Sequence, residues 1–176
     1  MGKDPNIWTY LENTVIRFAG DLYKSILRTF TDYSSEFSQS DEVTAKILVY
    51  TIFLECFMIR IELLTLGQDG QEANRVVESI LFRSLDRAFA DGGMTELTLH
   101  GMGVIDHLAG AKDFVGKDAL ADSVVRRFVT AIDETLGLEK SYLTDSMLCL
   151  TAGAHLLSGL EAQVYREIAK LLAKSS

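Results

Sequence analysis

Proline is almost missing from this chain of 176 residues, and the single one, Pro5, stands near the start. Proline breaks helix interiors and punctuates strand edges and turns, so its absence beyond residue 5 favours long helices. Cysteine is nearly absent too. The two present, Cys56 and Cys149, form no C-x-x-C pair and no disulfide framework. They sit in apolar runs and read as small buried hydrophobes, which fits a reducing, cytoplasmic setting. Basic residues are outnumbered, 17 Lys and Arg against 25 Asp and Glu, for a net charge of −8. An acidic chain without a basic stripe is a poor match for phosphate backbones, so nucleic-acid binding is not expected. Long uncharged runs are lacking. Residues 47–54 and 146–160 are free of charge but shorter than the ~20 residues of a membrane span, so an integral membrane protein is not expected. The first residues have no apolar leader core, and Asn6 stands where a myristoylation pattern needs Ser or Thr.

What remains is a helical pattern. Hydrophobic residues make up 48% of the chain, and a chain this long can bury a core without metal or disulfide. The reading is all-α: one domain over 1–176, a bundle of about six helices around a buried central helix at about 41–66, with an irregular glycine-rich middle. In residues 6–32, Trp8, Leu11, Val15, Phe18, Leu22, Ile26 and Phe30 recur at spacings of three and four, which predicts one apolar face. Residues 44–66 are oily on nearly every side, as in a helix surrounded by others. On that helix Thr44, Thr51, Glu55 and Glu62 share a thin polar stripe. The expectation is that the stripe reaches solvent and Glu55 is wet. A buried Glu55 would need protonation or a partner from another helix, because Arg60 lies on the wrong face. Gly67 suits a left-handed cap, and Asp69 caps the next helix, with Val76, Val77, Ile80, Leu81, Leu85 and Phe89 inward. Further helices are expected at about 118–136 and from about 144 to 173, the latter broken or closely approached at Gly153 or Gly159.

Catalytic motifs are hard to find. There is no E-x-x-H pair for a di-iron bundle, no P-loop and no G-x-S-x-G elbow. Gly101-x-Gly103 lacks the preceding strand that a dinucleotide fingerprint needs. Glu96, His100 and His107 are the candidate metal ligands, with Glu55 as a possible addition. His155 reads as a satisfied core or boundary histidine. No cofactor is expected, and the enzyme reading ranks below a binding role. Met94, Leu97, Leu99, Met102, Val104, Ile105, Leu108 and Phe114, with Asp106 among them, form the candidate partner-binding segment, since the eight apolar residues exceed what a short stretch can easily bury.

Leu99-His100-Gly101-Met102-Gly103-Val104-Ile105-Asp106 resembles the Leu-Arg-Glu-Met-Gly-Val-Gly-Asp signature of the ubiquinol–cytochrome c chaperone family. His100-Gly101 replaces its Arg-Glu, and Ile105 its second Gly. Phe82 and Leu85-Asp86 match the lead-in to the signature, and Leu22-Tyr23 with Ile26-Leu27 an N-terminal pattern. The resemblance covers parts of 22–117. It implies an all-helical assembly factor that binds a nascent membrane subunit, in peripheral contact with a membrane protein, without catalysis. The alternative is an all-α protein whose apolar excess is a homodimer or larger oligomer interface.

Overall fold

Helices account for all the regular structure among the described residues of the computed structural model, and no strand occurs among them. Those residues are 5–34, 37, 40–88, 125, 126, 128–130, 132, 133, 142–156 and 159–174. The helices are α1 (Pro5–Tyr33), α2 (Asp41–Thr65), α3 (Gly70–Ala88), α4 (Tyr142–Leu156) and α5 (Gly159–Lys174), with further helical residues within 125–133. The chain is an all-α bundle.

Proline at position 5 opens α1, where its missing N–H costs no helical bond. The predicted face is the buried one: Trp8, Leu11, Val15, Phe18, Leu22, Ile26 and Phe30 are all in the core. Ser40 caps α2, its side chain accepting from the Val43 amide. Gly67 ends α2 at φ 81°, with Gln68 N–H bonded to Leu63 O and Gly67 N–H to Leu64 O. These paired bonds form a Schellman turn, which satisfies the last carbonyls and needs the left-handed conformation that glycine adopts most freely. Asp69 Oδ2 then accepts from the Gln71 amide to start α3, whose buried row includes Val76, Val77, Ile80, Leu81 and Leu85.

Helix α2 is the inner column. From Thr51 to Ile59 every residue is buried, whichever way it points. Helices α1, α3 and α5 pack against it, and α4 packs against α1. Two contacts fasten α4: the Thr144 hydroxyl donates to Tyr33 O at 2.9 Å, and the Thr151 and Thr29 hydroxyls lie 3.0 Å apart. Their order along the two helices makes α4 antiparallel to α1. The long C-terminal helix expected from 144 to 173 is two helices, with Gly153 inside α4 and Gly159 opening α5. Val125, Phe128, Val129 and Ile132, within the segment expected to be helical at about 118–136, join the core.

Candidate functional site

The thin polar stripe of α2 is half-buried at Thr44 and closed to water from Thr51 onward. Thr51 and Glu55 are fully buried and Glu62 is 1% exposed, which corrects the expectation of a wet Glu55. The stripe is covered by α4 and α5, which bring polar groups to meet it. A buried carboxylate needs such partners because desolvation without them is costly. At Glu55 the Tyr165 hydroxyl donates to Oε2 at 2.6 Å, and His155 Nε2 lies 3.0 Å from Oε1. His155 Nε2 is also 3.1 Å from Glu161 Oε1. Three helices therefore converge on one imidazole nitrogen. Two turns further along α2, Arg166 Nε donates to Glu62 Oε2 at 3.1 Å.

Local structure explains the convergence. Glu161, Tyr165, Ile168, Ala169 and Leu172 are the buried residues of α5, spaced as one helical face. That face is apolar except at its first turn, where a carboxylate also suits the positive end of the helix. The Tyr165 ring meets Phe18 of α1 edge to face at 5.5 Å between centroids, which aims its hydroxyl at Glu55. His155 lies in the last turn of α4, a favourable place for a cationic side chain. Its side chain is 13% exposed and that of Glu161 10%, so the cluster has a narrow opening to solvent.

The electrostatics follow from that enclosure. Burial pushes the Glu161 carboxyl up to about 7, the charge of Glu55 and more weakly Asp21 adding to it while His155 and Arg17 oppose. Burial works to lower the His155 pKa, but the hydrogen bond and charge of Glu55, with Glu161 and Asp21 behind, outweigh it and hold the ring above its ordinary value. Burial and then Glu55 raise the Tyr165 hydroxyl, which stays a donor. The Cys56 thiol is likewise pushed well up, by burial and by Glu55. It is inert as a nucleophile, because the thiolate is the reactive form.

A second feature lies on the far side of α4. Thr144, Leu148 and Ala152 face inward, while Tyr142 is 90%, Leu143 57% and Leu150 65% exposed. Leu143, Met147, Leu150 and Ala154 recur at spacings of four, three and four along the outer face. An outward helix face is normally polar.

The candidate ligands Glu96, His100 and His107 lie outside the described residues, as does the partner-binding set Met94, Leu97, Leu99, Met102, Val104, Ile105, Asp106, Leu108 and Phe114. Of the residues singled out in the sequence, Glu55 and His155 are brought together. Arg60 is indeed turned elsewhere, its Nε donating to Asn74 of α3. Glu161 and Tyr165 were missed. The available signal was a glutamate and a tyrosine four residues apart on an otherwise apolar helix face. No protein-family model, curated protein or solved structure matches the chain. No described helix is long and apolar enough to cross a membrane.

Proposed function

We propose that this chain is a helical binding protein that does no chemistry of its own and associates through the outer face of α4, with a second copy of itself as the partner. The observation that carries the reading is the outer stripe of α4, in which Leu143, Leu150 and Ala154 are exposed and Met147 between them is half-buried. Its 4-3-4 spacing is that of a coiled-coil seam, which receives another apolar helix face. A seam of this kind is self-complementary across a two-fold axis. Asp145 is the only residue of α4 with a fixed charge at neutral pH, and neither it nor His155 occupies a position of the stripe. Two molecules of net charge −8 can therefore meet there without like charges face to face. A single helix pair is small beside a standard interface of roughly 1,600 Å², so the dimer is expected to be reversible.

Sedimentation or light scattering across a concentration series tests this. The wild-type chain is expected to shift towards dimer in the micromolar range, and Leu143→Glu with Leu150→Glu to remain monomeric with unchanged helical content. A wild-type chain that stays monomeric at high micromolar concentration overturns the reading, as does a double variant that dimerises equally well.

A second reading rests on the Leu99–Asp106 signature. There the partner is a membrane-protein subunit in assembly, engaged through residues 94–114. Its test is loss of that partner's binding in Met102→Glu or Ile105→Glu, with the α4 variants unaffected.

A further inference from the structure

The cluster between α2, α4 and α5 is more than a set of satisfied polar groups. A neutral imidazole nitrogen either donates one proton or offers one lone pair, and a protonated one still has a single N–H at that atom. It can make one well-aligned hydrogen bond. Here two carboxylates from two other helices approach the same nitrogen, at 3.0 and 3.1 Å. Only one of those contacts is a good hydrogen bond, yet both acids are buried to meet it. A shared cation accounts for both approaches. Ligand atoms bound to one ion at about 2.1 Å sit roughly 3.0–3.4 Å from one another. One ligand atom from each of Glu55, His155 and Glu161 lies within 4.8 Å of the other two.

A second observation points the same way. Glu161 is 7% exposed, and its Oε2 is buried without a hydrogen-bond partner. Leaving such an oxygen buried and unanswered is costly, because its desolvation is not offset. A cation would answer it. The surroundings are also those of a metal site. The Tyr165 hydroxyl clamps Glu55 through Oε2, leaving Oε1 turned towards His155, as outer groups orient ligands at metal centres. The charges near the cluster are Glu55, Glu161 and Asp21 against Arg17 and His155. The narrow opening beside His155 and Glu161 gives an ion and its water a way in.

We propose that Glu55, His155 and Glu161 bind a divalent first-row transition-metal ion, with solvent completing its coordination and Tyr165 as a positioning residue. One imidazole and two carboxylates suit zinc, cobalt, iron(II) or manganese. Calcium and magnesium prefer all-oxygen shells. The site is independent of the α4 seam, so either proposal can fail alone.

The test uses the full chain, stripped with a chelator and titrated with cobalt(II), followed by visible absorption and competition with zinc. One equivalent per chain is expected, with ligand-field bands that zinc abolishes. His155→Gln should weaken binding at least 100-fold, and Tyr165→Phe about tenfold with the fold intact. Zinc should raise the unfolding midpoint of the wild type but not of His155→Gln or Glu161→Gln. Should His155→Gln fail to fold, Glu161→Gln gives the same readout, with the loss of the ligand-field bands expected. His100→Gln with His107→Gln should leave binding unchanged. Absent bands in the wild type, equal affinity in the His155 and Glu161 variants, or loss on changing His100 and His107 would each overturn the assignment.

Discussion

Glu55 and Glu62 are two buried carboxylates two turns apart on one helix, and they are answered in opposite ways. Glu62 meets Arg166, whose guanidinium is 47% exposed and so stays partly hydrated. That is a charge pair with its cation at the rim, a common way to close a polar stripe over a core. Glu55 meets a tyrosine hydroxyl, a histidine shared with a second acid, and no arginine or lysine among its hydrogen-bond partners. Matched charge holds the first position together. The second carries an excess of negative groups around one nitrogen, so its state depends on what else is bound. Structural pairs tend to neutralise, whereas sites tend to leave something unsettled.

The comparison predicts different responses to mutation. Arg166→Ala leaves Glu62 buried without its guanidinium, and about 2 kcal/mol of stability should be lost in urea unfolding. A loss within measurement error would mean that Glu62 is no better neutralised than Glu55, and the contrast would break. Glu161→Gln should act in the opposite sense. In the metal-free protein the folded-state pKa of Glu161 is raised to about 7 from the ordinary 4.5. The folded state then holds a proton that the unfolded state releases earlier. The resulting stability is present below pH 4.5 and is lost as pH rises through about 7. The raised His155 contributes with the same sign, its share present below 6.5 and lost as pH climbs past its folded value. Unfolding midpoints should therefore fall between pH 5 and 8, and Glu161→Gln should flatten that slope and be the more stable form at pH 8. An unchanged slope would place the raised carboxyl elsewhere.

Much of the frame was legible in the sequence. The seven inward residues of α1, the Gly67 cap, the Asp69 start and the identity of α2 as the inner column all follow from short-range pattern, because capping and periodicity act within a few residues. The site was not legible in the same way. His155 and Tyr165 stand 100 and 110 residues from Glu55, and periodicity tells which face of a helix is buried but not which helix covers it. The polar stripe of α2 looked like a solvent edge because Thr44, Thr51, Glu55 and Glu62 share it. The overlooked clue was that α5 carries its own acid and tyrosine on an inward face. Two apolar faces with a carboxylate each are better explained by each other than by water. The seam on α4 was hidden differently, since a helix apolar all round reads as a core helix until its neighbours are known.

The central claim is that Glu55 is enclosed and that its negative charge holds His155. Nitrogen-edited NMR titration of the imidazole rings in metal-free protein tests it most directly, with His155 assigned by its loss in His155→Gln. The account predicts a His155 midpoint above the ordinary 6.5 that moves down in Glu55→Gln. A His155 that titrates at its ordinary value, and is indifferent to Glu55→Gln, would contradict it.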